Sequence, residues 1–255
     1  MEQINVIKVG GAVVEQPEYL NELLNQFAAL PGHKVLVHGG GRSATRIASQ
    51  LGIESKMVDG RRITDEAMLG VVTMVYGGLV NKGIVTGLQA RKVNAMGLTG
   101  ADMNLILSHK RPVKTMDYGW VGDVDRVDGA LLSDLIHKGI VPVVAPLTHD
   151  GQGHMLNTNA DTIAGEVACA LAPYFDVTLT MAFEKCGVLM DPDDDDSVIP
   201  QISLEMYARL KADEVVSGGM IPKLDNAFSA IDRGVKNVII TSAADIAGNN
   251  GTILQ

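Results

Sequence analysis

Two lysines stand where a lysine is expensive unless it meets an anion. Lys8 interrupts the β-branched run Ile4-Asn5-Val6-Ile7-Lys8-Val9, two residues before Gly10-Gly11. An ammonium in a buried strand is costly unless it finds negative charge or reaches an edge. Here it faces a glycine turn whose amides suit phosphate. Lys223 follows Gly218-Gly219-Met220-Ile221-Pro222 and reads as part of a helix N-terminus. A cation there opposes the helix dipole, and a bound phosphate would remove the conflict. Both lysines therefore point to phosphoryl chemistry.

A second group of residues suits an organic anion. Gly39-Gly40-Gly41 ends an apolar run and opens a helix, so its amides form an anion site. Arg61-Arg62 are adjacent in a polar hairpin, which fits a solvated charge pair as well as one guanidinium fork turned inward onto a carboxylate. Asn157-Thr158-Asn159-Ala160-Asp161 opens another helix. Capping by Asn159 and the dipole preference of Asp161 account for these residues as well as ligand binding by Asn157 does.

Other motifs carry less. Gly39-Gly40-Gly41-Arg42-Ser43-Ala44 matches a dinucleotide fingerprint, with Asp59 20 residues beyond Gly39. Yet Asp59 sits in a Gly/Arg turn rather than at the end of a second strand. No G-x-x-x-x-G-K-[ST] loop occurs. The acid run Asp191-Pro192-Asp193-Asp194-Asp195-Asp196 lacks the spaced ligands of a calcium loop and reads as solvated. The histidines form no H-E-x-x-H pattern, and no metal-ligand set is expected.

These residues need a scaffold that brings distant turns to one edge. Strands are expected at 4–9, 34–38, 92–98, 140–145, 177–182 and 237–241, with helices between them. Thr64 reads as the N-cap of a long apolar helix reaching about Ala90, and Pro222 as a first helical residue. Residues 104–127 read as an antiparallel excursion. The order predicts an α/β fold: an open, mostly parallel sheet sandwiched between helices, a three-layer α/β/α arrangement. Ligands of such sheets bind beyond the carboxyl ends of the strands.

Composition agrees. The 255 residues carry 21 Lys+Arg and 30 Asp+Glu, a net charge of -9, with 46% hydrophobic and 4% aromatic residues. That describes a globular chain and disfavours nucleic-acid binding. Residues 1–114 are net +4 and residues 115–255 net -13. This fits an anion-binding first half, or mere drift of surface charge. No apolar run is read as a membrane span and no signal peptide is read at the N-terminus, so a cytoplasmic location is expected. Cys169 and Cys186 show no paired spacing.

Taken in order, Ile7-Lys8-Val9-Gly10-Gly11, His38-Gly39-Gly40-Gly41, Gly60-Arg61-Arg62-Ile63-Thr64, Asn157-Thr158-Asn159-Ala160-Asp161, Gly219-Met220-Ile221-Pro222-Lys223 and Gly251-Thr252-Ile253 resemble the acetylglutamate kinases of the amino-acid-kinase family. The resemblance implies transfer of phosphate from ATP to the side-chain carboxylate of an N-acylated glutamate, acetyl or succinyl, in arginine biosynthesis. It implies Mg2+ held mainly by phosphate oxygens. By the same resemblance Lys8 and Lys223 stabilise the moving phosphoryl group and Asp161 holds them. Gly10, Gly11 and Gly219 approach phosphate, and Gly40 and Gly41 approach substrate. Arg62 clamps the α-carboxylate, and Asn157 binds the acylamino group. Residues 1–175 would form an acyl-glutamate and dimerisation lobe, and residues 176–255 a nucleotide lobe. The pattern departs at Met181-Ala182-Phe183-Glu184-Lys185-Cys186-Gly187-Val188, where an expected Asp is missing and Lys185 becomes a candidate phosphate contact. Because the first strand starts near Ile4, a homodimer without arginine inhibition is expected. The rivals are an aspartate, carbamate or uridylate kinase of the same fold, a nicotinamide dehydrogenase resting on the Gly39 fingerprint, and a non-catalytic amino-acid-binding regulator.

Overall fold

In the computed structural model, residues 1–255 are described except 59, 60, 184, 192, 217–219, 248, 249 and the side chain of Pro222. The run Gln3–Val9 forms β1. The chain continues through α1 (Gly11–Glu15), α2 (Pro17–Ala29), β2 (His33–His38), α3 (Gly41–Gln50) and the hairpin β3–β4 (Met57–Val58, Arg61–Arg62). Next come α4 (Glu66–Val72), a π-helical segment (Thr73–Val80), α5 (Asn81–Ala90), β5 (Ala95–Leu98), β6 (Ile106–Lys110) and β7 (Gly122–Val127). After α6 (Gly129–His137) follow β8 (Val141–Val144), β9 (Leu147–His149), β10 (Met155–Asn157) and α7 (Ala160–Leu171). The remainder is β11 (Asp176–Phe183), β12 (Gln201–Ile202), α8 (Leu204–Ala212), α9 (Met220–Asp232), β13 (Asn237–Ser242) and β14 (Thr252–Leu254).

The main sheet has eight strands in the order β12-β14-β13-β11-β1-β2-β8-β5. The β13–β14 pair is antiparallel and the other neighbours are parallel. The expected mostly parallel sheet is therefore present, with one reversal at β14, a strand that sequence periodicity did not reveal. The 104–127 excursion is β6 and β7, which join β9 and β10 in a smaller sheet.

Alternation along β1 divides the core between two helical layers. Ile4 and Val6 join residues of α6, α7, α8 and α9, such as Leu132, Val167, Leu210 and Leu224. Ile7 and Val9 join residues of α2 through α5, such as Phe27, Ala48, Met68 and Ile84. This is the three-layer arrangement. It also puts Lys8, in register with the even residues, on the α7 side.

Four local expectations need correction. The N-cap of the long helix is Asp65, whose carboxylate accepts from the Met68 amide, because Thr64 is already held in backbone pairing with Tyr118 and Trp120. The helix is not uniformly α: Thr73–Val80 widens to π geometry, a common feature at functional sites. α9 begins at Met220, so Pro222 is its third residue rather than its first. The 25-residue run Glu66–Ala90 is moreover long and apolar enough to cross a membrane by composition, contrary to expectation. Its Met68, Val71, Val75, Ile84 and Leu88 are instead buried on the sheet.

Candidate active site

The site forms where the crossover direction changes. β1 lies between β2 and β11, so its carboxyl end is a switch point of the sheet. There the chain turns at Gly10-Gly11, beside the turn at Gly39-Gly40-Gly41. A Cβ on Gly11 would come within 3.1 Å of the Gly41 amide nitrogen and 3.3 Å of that of Gly40. The two glycine turns pack backbone to backbone, and the amide of Gly39 donates to the Val9 carbonyl.

Lys8 is buried, and its Nζ lies 2.6 Å from Oδ1 of Asp161 in the first turn of α7. The contact is a close ion pair whose alignment falls short of a hydrogen bond. Asn159 caps α7 by accepting from the amides of Asp161 and Thr162, which fixes the Asp161 backbone beneath the lysine. Phe183 ends β11 one residue past the Ala182 that pairs with Val9, so the pleat turns its ring to the Lys8 side. Lys8 Nζ stands 4.8 Å from the centroid of that ring and Lys223 Nζ 3.8 Å. The two ammonium groups can be no further apart than those two distances laid end to end. Lys223 reaches this point from the first turn of α9.

Beside the lysines runs a cleft of about 190 Å³, whose walls include Gly40, Gly41, Arg61, Arg62, Tyr76, Arg111 and Asn157. Of the adjacent arginines, Arg62 is buried and Arg61 exposed. Arg62 donates from Nη2 to the Gly41 carbonyl (2.8 Å) and to Thr45 Oγ1 (2.9 Å), and from Nη1 to Ser55. Its guanidinium is therefore pinned over the second glycine turn. Asn157 donates to Thr64 Oγ1 at 2.9 Å, and its amide donates to the Trp120 carbonyl. Gly119 makes that pairing feasible. It has φ 72°, and a Cβ there would lie 2.2 Å from the Thr64 carbonyl oxygen.

Three contributors escaped sequence reasoning. Tyr76, on the π-helical segment, packs its ring on Gly40, where a Cβ would come within 2.8 Å of it. Burial pushes its phenol pKa up, against the opposing pull of Arg62. Arg111 and Phe183 also line the site; neither was assigned a role from the sequence, although Phe183 closes the β-branched run of β11. Lys185 is not brought to the lysine pair: it is exposed and pairs with Asp195 at 2.6 Å. That pairing places it on the acid run and raises its pKa. Gly219, with Ser217 and Gly218, lies outside the described residues, as do Asp59, Gly60 and Glu184.

A second hollow, of about 290 Å³, continues along the same edge between Ala12, Val13 and Tyr19 on one side and Phe183, Ser242 and Ala243 on the other. Among the described residues no group of three or more His, Cys, Asp or Glu side chains is placed to hold a metal ion.

This architecture belongs to a known class: the chain is a member of the amino acid kinase family, which matches residues 3–242. The acetylglutamate kinase of Bacteroides fragilis is 69% identical over 254 residues, covering 100% of this chain and 97% of that protein. That of Methanopyrus kandleri is 39% identical, covering 99% and 100%. Among solved structures, an N-acetylglutamate synthase from Neisseria gonorrhoeae superposes with a TM-score of 0.83 at 22% identity, over 98% of this chain and 59% of that one. A carbamate kinase from Giardia lamblia superposes with a TM-score of 0.68 at 15% identity, over 99% and 98%. Likeness at such low identity speaks for the fold alone.

Proposed function

We propose that this chain transfers the γ-phosphoryl group of ATP to the side-chain carboxylate of N-acetyl-L-glutamate, or of a close N-acyl analogue, in arginine biosynthesis. The observation that carries this reading is the convergence of Lys8 and Lys223 on Phe183, beside a cleft walled by Arg62 and Asn157. Full-length identity to acetylglutamate kinases supports it.

The chemistry follows from charge. The acceptor carboxylate is ionised at neutral pH, so no general base is needed. One carboxylate oxygen attacks the γ-phosphorus, the bond to the β-γ bridging oxygen breaks, and ADP leaves with that electron pair. The barrier lies in bringing two anions together in line and in stabilising charge on the transferring group. Lys8 and Lys223 supply that stabilisation, and Asp161 fixes Lys8 against the turn. Gly10 and Gly11 let backbone amides approach the phosphates, while Arg62 takes the α-carboxylate and Asn157 the acylamino group. The nucleotide enters along the hollow beside Phe183, with the 176–255 segment as its lobe and 1–175 as the acceptor lobe. A Mg2+ ion would be held mainly by the nucleotide rather than by this chain, since the described residues offer no carboxylate cluster for it, and would supply charge neutralisation at the phosphates.

We further read the enzyme as a cytoplasmic homodimer. Cys169 and Cys186 are free thiols, in keeping with a reducing compartment. Met74 and Leu79 are apolar side chains that stand exposed on the Glu66–Ala90 helix, where a second subunit would cover them. A coupled ADP-release assay with N-acetyl-L-glutamate, aspartate and carbamate as acceptors tests the activity. Release with N-acetyl-L-glutamate is expected; release only with another acceptor would reassign the enzyme within its fold.

A further inference from the structure

Buried side chains hold the second glycine turn from behind. His38 ends β2 and is fully buried. Its Nε2 faces Nδ2 of Asn81 at 3.1 Å, and its Nδ1 lies 2.9 Å from the Gly39 carbonyl oxygen. Asn81 is itself fixed in orientation: Nδ2 also donates to the Val143 carbonyl at 2.9 Å, and Oδ1 accepts from Lys82 at 3.2 Å. An amide nitrogen only donates, so Nε2 is the accepting nitrogen of a neutral ring. The proton then sits on Nδ1 and is donated to Gly39. Burial agrees, since it lowers the pKa of the ring from 6.5 to about 4.

The Gly39 carbonyl and the Gly40 amide belong to one planar trans peptide. Fixing the oxygen on the imidazole therefore directs the N–H the opposite way. His38 is sealed inside, whereas Gly40 lines the cleft. Gly40 is also the N-cap of α3, where the first amides lie outside the helical ladder. Between two glycines such a peptide can turn over at little steric cost, so its direction depends on the neighbours that hold it. The π-helical segment supplies them. Residues five apart in an α-helix stand about 140° apart around its axis. Here the Asn81 amide donates to the Tyr76 carbonyl, a π-type bond that brings the two residues toward one face. From that face the Tyr76 ring covers Gly40 and Asn81 holds His38.

We infer that His38 is a positioning residue: with its tautomer set by Asn81, it locks the Gly39–Gly40 peptide so that the Gly40 amide points at the anionic acceptor. This inference rests on the acyl-glutamate reading above, in which the second glycine turn approaches the acceptor.

The test measures kcat/KM for N-acetyl- and N-succinyl-L-glutamate, and KM for ATP, in the wild type, His38→Leu and His38→Asn. Leucine offers no donor, whereas asparagine carries an amide nitrogen at the level of Nδ1. His38→Leu should lower kcat/KM for the acceptor by at least about tenfold while KM for ATP stays within about threefold. His38→Asn should regain at least about threefold of that loss. Equal losses in the two variants, or a parallel rise in KM for ATP, show a merely structural role and overturn the inference while leaving the kinase reading intact. Nitrogen NMR of the histidine rings in the wild type at neutral pH does not depend on a variant that folds. A neutral His38 ring protonated at Nδ1 is expected, and one protonated at Nε2 overturns the inference. A wild type that turns over neither acceptor overturns both the inference and the reading beneath it.

Discussion

Both lysines set their ammonium groups over the Phe183 ring, and Lys8 is fixed in addition by a carboxylate at a helix start. If both act on one phosphoryl group, Lys8→Ala and Lys223→Ala each lower kcat by at least about tenfold, roughly 1.4 kcal/mol of transition-state stabilisation. Initial-rate assays at saturating ATP check this, and unchanged turnover in either variant removes the mechanism. His38 poses a different question. It is buried, with Nδ1 2.9 Å from the Gly39 carbonyl oxygen and Nε2 facing the Asn81 amide nitrogen at 3.1 Å. Burial lowers its pKa from 6.5 to about 4, so the folded protein keeps the ring neutral where the unfolded chain would take up a proton. Its stabilising contribution is complete above about pH 6.5 and is lost as the pH falls toward 4, a total of about 3 kcal/mol. Urea midpoints at neutral and mildly acidic pH should diverge more for the wild type than for His38→Gln.

At the scale of elements, the site depends on two turns that touch. The first glycine turn follows β1 and the second follows β2, and parallel pairing of those strands brings both to one edge. Gly11 is the contact point. Gly11→Ala inserts a methyl group against rigid backbone nitrogens of Gly40 and Gly41, which cannot yield as a flexible side chain would. A loss of about 1–3 kcal/mol in unfolding free energy is expected from such overpacking. The KM for acceptor should rise as well, because the displaced turn carries the carbonyl that positions Arg62. Denaturant unfolding and steady-state kinetics on the same variant separate the two effects. Much of this was legible beforehand. Apolar runs ended by glycine marked β1 and β2, and the Asn159 cap marked α7. The π-helical segment was not, since Thr73–Val80 has the same apolar pattern whether it winds as α or π.

Across the whole molecule, one sheet joins the two expected lobes. β1 and β2 come from the first and β11 and β13 from the second, and they pair side by side. Any closure between lobes must therefore bend this sheet or move the elements above its edge. The proposed dimer also belongs to this scale. Replacing Met74 and Leu79 together by glutamate puts two charges on the outer face of the long helix. Sedimentation velocity should report a dimer for the wild type and a monomer for the double variant; an unchanged dimer would place the interface elsewhere.

The sequence by itself determined which residues carry unusual cost: a lysine in an apolar strand, consecutive glycines before helices, adjacent arginines in a hairpin. It also determined the alternation of strands and helices, because hydrophobic periodicity is a local property of the chain. Tertiary structure decided which of those costs are offset together. Nothing in the spacing of 215 residues between Lys8 and Lys223 says that both meet Phe183. Nor does it say that Arg111 and Tyr76 line a cleft with Arg62, or that Lys185 pairs with Asp195 instead. Those outcomes depend on strand order and on the pleat, which choose the edge and face where distant side chains arrive.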